Sequence, residues 1–444
     1  MLNFCRNQKG MSLLESIIGI GLIGIVFWGV IGMYILSVKV VAQSKLRSTA
    51  IFLANQKIEE IRSLSYENIG TIGGVPSGSV PQEETKTYNG GEFTIKTTIV
   101  YVDDPSDGVL PDDSVPTDYK KAEVRVSWAG ENSGEVLFTT DIVPNTVEES
   151  VGGGILSISV KDADNQGVSN AEVHIYNDQV SPIIDANYLT NSQGNLVLLG
   201  LPESTESYQI TVSKTGYSID RTYGEDEVAT PLKPHASVFN NQTTEIGFEI
   251  DLLGSMNIST TGSEENGYPP VGNVQFRLQG EKIIGTDAFG DPVYKTDEIL
   301  QTDSSGSLEI SDLEWDSYNF FILSPEGLNL IGIESPLGTA TTQPIDLLPG
   351  ETKDIRLILG AQNSCLVKVY DASTNDPLFS ASVRLYNSTG YDQTIPTNSQ
   401  GESLFIPLEE GNYTLEIQMD GYNSYTETFY VAGETTKEIY LTSI

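Results

Sequence analysis

The sequence predicts an α+β N-terminal part, one long helix with a small antiparallel sheet, followed by three all-β sandwich domains. Three observations carry this prediction. An uncharged run from Ser16 to Val38 passes directly into a stretch with helical apolar spacing. Beyond it the chain alternates apolar and polar residues in short stretches bounded by Gly, Asn, Asp and Ser. From residue 149 onward one turn motif recurs three times, with similar strands before and after it. The segments are then 1–10, a basic leader; 11–65, the helix; 66–148, a β head; and 149–253, 254–360 and 361–444, the sandwiches.

The helix comes first. Ser16–Val38 holds no charge, and at about 1.5 Å per residue it spans the roughly 30 Å hydrocarbon layer. The run is too long for a secretory h-region, and no A-x-A site follows it. Arg6 and Lys9 precede it and place the N-terminus in the cytoplasm, against the weaker pull of Lys39, Lys45 and Arg47 behind it. Apolar residues continue at Leu46, Ala50, Leu53, Ala54, Ile58, Ile61 and Leu64, with Lys57, Glu59, Glu60 and Arg62 between them. The periodicity predicts one helix from Ser12 to Leu64. Its apolar faces need the head or other chains.

The leader ends Lys9-Gly10, then Met11-Ser12-Leu13-Leu14-Glu15, the uncharged run and the amphipathic extension. This order resembles the N-terminus of type IV prepilins and pseudopilins. The stretch from Ala50 to Arg62 is similar to PilV-like minor pilins and pseudopilin I. The resemblance implies cleavage by a membrane prepilin peptidase after Gly10, methylation of the new terminus at Met11, and assembly with other pilin or pseudopilin subunits through Glu15. A carboxylate at bilayer depth is costly without a partner, which suits that role for Glu15. Met11 replaces the usual phenylalanine. Gly32 stands where major pilins often carry proline. Gly19, Gly21, Gly24, Gly29 and Gly32 allow close helix approach, and Gly29 and Gly32 weaken the helix locally. The resemblance covers about 65 residues and points to a minor subunit. Sterics agree: helices pack about 8–10 Å apart, whereas a 100-residue domain has a radius of gyration near 13 Å.

Gly70–Gly91 is rich in Gly, Pro, Ser and Thr and reads as a loop. Strands are predicted at Phe93–Tyr101, Ala122–Trp128 and Val136–Val143, a small sheet to pack on the helix end. Between the first two lie Asp103, Asp104, Asp107, Asp112 and Asp113. They match no fixed calcium loop and read as a solvated acidic turn, with calcium as the alternative. Glu148–Gly154 reads as a linker.

The repeated turns are Thr190–Gly194, Thr302–Gly306 and Thr397–Gly401. Each is followed by a lone tyrosine, Tyr208, Tyr318 or Tyr413. Strands are predicted before the turns at Ala171–Tyr176, Asn273–Leu278 and Ala381–Tyr386, and closing strands at Glu245–Leu252, Lys353–Leu359 and Thr436–Leu441. The second unit carries an insertion around Gly285–Val293. Val160-Lys161-Asp162, Gly167-Val168, Ala171-Glu172-Val173, the turn and Lys214–Tyr217 in the first unit resemble carboxypeptidase-regulatory-like, transthyretin-like modules. Val369-Tyr370-Asp371, Ala381-Ser382-Val383, Gly401 and Gly421-Tyr422 do the same in the third. The resemblance implies a seven-stranded sandwich that binds a partner or spaces one.

Chemistry is sparse. Asp and Glu outnumber Lys and Arg 61 to 24, a net charge of -37 that repels nucleic acid. His174 and His235 belong to no metal-binding pattern, and no nucleophile elbow or P-loop is present. Asp162–Gly167 departs from a calcium loop at Gln166 and Val173 and reads as a turn. Lys161 and Lys368 stand at the position of an isopeptide lysine, but the closing strands lack the asparagine, which argues against such a staple. Of Cys5 and Cys365, the second alternates with Val367 and Val369 and reads as buried. The expectation is no catalytic residue, no metal, no cofactor and no enzyme activity. The chain is expected in the inner membrane and then at the cell surface or on a pilus, single-pass through residues 16–38, its sandwiches outside and displayed for a carbohydrate or protein ligand. The competing expectation is an anchored adhesin or stalk that never joins a filament.

Overall fold

The computed structural model describes residues 13–103, 117–130, 133–144, 152–264, 267–325 and 327–444. The leader, Gly10, Met11, most of the Asp103–Asp113 loop and most of the Glu148–Gly154 linker lie outside these residues.

Helix α1 runs from Leu13 to Arg62 without interruption, continuous through Gly29 and Gly32. Its two halves have different surroundings. Ile17, Ile18 and the apolar residues from Leu22 to Val41 expose their side chains, Trp28 by 83%. Ala50, Leu53, Ala54, Ile58 and Ile61 are buried against a four-stranded sheet. That sheet is an antiparallel meander of β1 (Glu83–Tyr88), β2 (Gly91–Val102), β3 (Tyr119–Trp128) and β4 (Gly134–Ile142). Ala122, Val124, Val126 and Trp128 alternate inward from β3 and meet Phe93, Ile95 and Ile99 of β2 over the helix.

The sequence missed β1, which lies in the stretch read as loop. Its side chains are Glu, Thr, Lys and Tyr, so no apolar alternation marks it. The signal was the Asn89-Gly90 dipeptide. Both residues have positive φ, 52° and 81°, and they close the hairpin that pairs Tyr88 with Gly91. Asn-Gly is the pair that such two-residue turns favour. Lys57, which stands between the apolar positions of the helix, is 1% exposed and lies under β1 against Glu84.

The three β units share one plan. In the first, the strand that admits the chain (Gly154–Lys161) pairs in parallel with the strand that releases it (Thr243–Glu249). In the second the pair is Gly254–Thr261 with Thr352–Gly360, and in the third Ser364–Asp371 with Glu434–Leu441. The third unit has the seven strands expected. Glu402–Phe405, Ser364–Asp371 and Glu434–Leu441 form one sheet; Asp392–Pro396, Ser382–Tyr386, Gly411–Gln418 and Tyr425–Val431 form the other. The first two units carry additional short strands. Each unit has an apolar core, as between Val173, Ile175, Tyr208 and Phe248 in the first; the first core also takes in Val75 of the head, and the second Leu366 and Leu404 of the third unit.

The repeated turn works identically in all three. The Oδ1 atoms of Asn191, Asp303 and Asn398 each accept backbone N–H groups two and four residues later, at 2.8–2.9 Å. Gly194, Gly306 and Gly401 follow with φ near +75° to +78°. An added Cβ would meet the carbonyl oxygens of Val160, Thr260 and Val369 at 2.4, 2.6 and 2.5 Å. Tyr208, Tyr318 and Tyr413 are buried, and their hydroxyls donate to the carbonyls of Pro202, Glu314 and Glu409 at 2.6, 2.7 and 3.1 Å.

The insertion of the second unit is a hairpin, Ile283–Thr286 with Pro292–Tyr294. It pairs with Thr230–Pro231 of the first unit, and the Leu232 N–H donates to the Ile284 carbonyl at 2.9 Å. The head docks on the edge of the first unit in the same manner. The Asp185 N–H donates to the Gly73 carbonyl at 2.9 Å, and the Val75 N–H to the Tyr188 hydroxyl at 2.9 Å.

Candidate functional site

The feature that separates this chain from a soluble β protein is α1 and the way its lower half is fixed. Glu15 lies within α1, close to its start. Gly21, Gly24, Gly29 and Gly32 present open space where a Cβ would stand. Among the described residues nothing covers the upper helix, an apolar rod long and apolar enough to cross a membrane.

The lower helix is tied to the head by cations. The Lys57 ammonium lies 2.6 Å from Glu84 of β1 and 3.3 Å from Glu60, one turn along the helix. Arg62 donates from Nε and Nη2 to the Thr140 hydroxyl on β4, at 3.2 and 2.7 Å. Lys120 of β3 donates to the carbonyls of Tyr66 and Ile69 at 2.8 and 2.7 Å and sits over the Tyr66 ring at 4.4 Å. These carbonyls belong to the turn that ends the helix, so Lys120 fixes the exit angle of the chain. Burial pulls the Lys120 ammonium down to about 8, only partly opposed by Glu67. Burial also pushes the neighbouring Tyr101 up to about 12.

Two concave regions lie further out. A cleft of about 670 Å³ separates the head from the first unit, lined by Lys96, Glu123, Arg125, Glu172, Asn187 and Leu196 among others. A cleft of about 580 Å³ lies where the second and third units meet, lined by Asn363, Asn387, Tyr391, Glu409, Glu410 and Tyr413 among others.

The remaining sequence candidates resolve into structural roles. Asp162 Oδ1 accepts the N–H groups of Asp164 and Gln166 at 3.1 and 2.8 Å, which makes Asp162–Gly167 a closed turn. Lys161 donates to Asn165 in that same turn, and Lys368 pairs with Glu402 at 3.0 Å. In register, the closing strands set Glu249 beside Lys161 and Glu438 beside Lys368. His174 meets Asp185, and His235 meets the Thr222 hydroxyl. Burial pulls the His235 imidazole below its ordinary value. Cys365 is fully buried, and burial pushes its thiol up to about 12. Among the described residues, no group of three His, Cys, Asp or Glu side chains is placed to hold a metal.

Sequence periodicity found the helix and its apolar face but not the ties. Lys57, Glu84 and Lys120 act through partners up to 54 residues away, and only Glu84's neighbouring Asn-Gly pair left a local signal.

Residues 366–442 match the carboxypeptidase regulatory-like domain. A sequence search among curated proteins finds no match. Among solved structures, the chain is similar to the Bacillus anthracis TIE protein, at 17% identity and a TM-score of 0.22, covering 83% of this chain and 75% of that one. It is similar to a streptococcal ancillary pilin at 12% identity and a TM-score of 0.20, covering 66% and 99%. It is also similar to GBS52, the minor pilin of Streptococcus agalactiae, at 15% identity and a TM-score of 0.22, covering 47% and 96%. The third unit is thus similar to a carboxypeptidase regulatory-like domain, and the first two units repeat its turn, its buried tyrosine and its parallel first and last strands.

Proposed function

We propose that the chain is a surface subunit held by α1 and displaying its β units outward, and specifically a minor pilin or pseudopilin of a type IV pilus or type II secretion-like filament. The observation that carries this reading is the division of one helix into an uncovered apolar half and a half sealed onto a sheet. The uncovered half suits the bilayer before assembly and neighbouring helices after it. Gly10 is then the cleavage point for the prepilin peptidase, Met11 the methylated terminus, and Glu15 the acid that meets a terminal amine in the apolar layer. The chain crosses the cytoplasmic membrane once, with its β units outside. In this reading the units are non-catalytic, and buried Thr190, Thr302 and Thr397 serve to hold their turns in place. Adhesion or partner binding through the β units is the remaining part of the proposal.

N-terminal sequencing of protein taken from its native membrane tests this reading. A methylated Met11 terminus, with loss of filament incorporation in Glu15→Ala, supports it. Retention of residues 1–10 together with tolerance of Glu15→Ala would replace it with an uncut, membrane-anchored stalk.

A further inference from the structure

We propose that the first and second β units are load-bearing links, in which pulling force along the chain is taken in shear by the parallel first and last strands. The inference rests on the surface-display reading, which puts an anchor at one end and the outermost unit at the other.

The geometry follows from register. In the first unit the paired residues run from Ile155 opposite Thr243 to Lys161 opposite Glu249. In the second they run from Ser255 opposite Thr352 to Thr261 opposite Ile358. The anchor pulls on the Ile155 end of the entry strand. The outer units pull on the Glu249 end of the exit strand. Because the two strands are parallel neighbours, these forces slide one past the other. Every rung of the ladder is strained together, rather than one after another as when two strands are peeled from a shared end. Inward side chains must be dragged as well, since Ile158 and Val160 on the entry strand and Phe248 on the exit strand share one core. Forced rupture is set by the barrier to unfolding, and a barrier that breaks many rungs at once is high.

The links between units add little slack. The exit strand of the first unit ends at Glu249 and the next entry strand begins at Gly254. Within that link the Leu253 N–H donates to the Gly216 carbonyl at 3.0 Å, and the Leu252 carbonyl accepts the Gly350 N–H at 3.1 Å. The second exit strand ends at Gly360 and the third entry strand begins at Ser364. There Asn363 accepts the Gly433 N–H at 2.7 Å. The inserted hairpin paired to Thr230–Pro231, with Lys295 donating to the Ile219 carbonyl at 2.7 Å, resists bending between the first two units.

The two units differ in one respect. The first exit strand is a sheet edge with the entry strand as its sheet neighbour. The second exit strand also pairs with Asn329–Glu334 on its far side. The first unit is therefore the weaker link and yields before the second.

Single-molecule pulling on the full chain tests this, with Cys5→Ser and two surface cysteines as handles. Val143→Cys with Leu252→Cys loads the first unit from opposite ends of its parallel pair. Val143→Cys with Gln242→Cys pulls the same two strands apart from their shared start, where the Ile155 N–H meets the Gln242 carbonyl at 2.9 Å. Matching circular dichroism and melting of the two variants establishes the common fold. The opposite-end pair is expected to need about two-fold more force or higher at equal loading rate. Equal forces, or a higher force for the shared-start pair, overturn the proposal. With handles at Val143 and Gln362, which load only the first two units, the expected order is a lengthening of about 30 nm for the first unit, then a longer one for the second; the reverse order overturns the ranking. The measurement uses purified chain, so it stands or falls separately from cleavage after Gly10.

Discussion

Lys57, on the buried face of α1, holds Glu84 of β1 at 2.6 Å, and the lysine is almost without solvent contact. The pair fastens an edge strand of polar residues to the helix that carries the chain into the membrane. Removing one partner leaves the other charge poorly compensated, whereas replacing both by apolar residues removes the desolvation cost. Glu84→Gln is expected to lower head stability by about 2 kcal/mol, and Lys57→Met with Glu84→Leu to recover most of it. Urea unfolding followed by Trp128 fluorescence, in a chain with Trp28 and Trp315 replaced by Phe, measures both. Equal losses in the single and double variants would exclude the pair as the fastening.

Lys120 gives the head a pH dependence of defined sign. Its ammonium is held near 8 when folded, below its ordinary value of about 10.4. Between those values the unfolded chain binds the proton and the folded chain does not, so stability rises with pH. Above about pH 10 the trend reverses, because buried Tyr101, raised to about 12, stays protonated while unfolded tyrosine ionises. The same fluorescence assay should show the unfolding midpoint climbing from pH 8 to about pH 10. Lys120→Met should flatten that climb.

The turn glycines differ from other glycines with the same backbone. Gly194→Ala places a Cβ 2.4 Å from the Val160 carbonyl oxygen at a φ of +78°, whereas Gly216 has φ +79° but open space around it. Gly216→Ala is expected to cost about 1 kcal/mol and Gly194→Ala clearly more, about 3 kcal/mol. Gly306→Ala and Gly401→Ala should resemble Gly194→Ala in their own units. Thermal melting of the four variants separates strain from steric contact.

The buried tyrosines report on the hydrogen bonds of their hydroxyls. Tyr208→Phe and Tyr318→Phe lose donated bonds of 2.6 and 2.7 Å, and Tyr413→Phe loses one of 3.1 Å to the Glu409 carbonyl and one of 3.2 Å accepted from the Glu409 N–H. Each should cost about 1–2 kcal/mol. Native-state hydrogen exchange at the core amides of each unit reads the three losses separately.

Cys365 lies in the third core with its thiol pushed up to about 12. Thiol reagents at neutral pH should leave it unlabelled in the folded chain and label it in urea. Labelling at equal rates in both conditions would show that the third unit opens freely.

The amino-acid sequence by itself determined whatever depends on neighbours a few residues apart. The uncharged run and its three- and four-residue spacing make α1, and the outcome differs from the expectation by a residue or two at either end. The Asn/Asp–x–x–Gly turns are self-contained, since one side chain accepts its own backbone N–H groups, so their threefold recurrence showed three related units. The alternation of Ala122, Val124, Val126 and Trp128 marked β3 because a strand with one buried face must alternate. Tertiary structure decided the rest, because the partners are distant. Lys57 looks like any helix-surface lysine until Glu84 is brought over it. β1 has no apolar face to announce it and exists by pairing with β2. The parallel joining of first and last strands brings together residues about 70 to 97 positions apart, a relation no local pattern encodes. The inserted hairpin around Gly285 became a clamp because the preceding unit offered it a free edge at Thr230–Pro231.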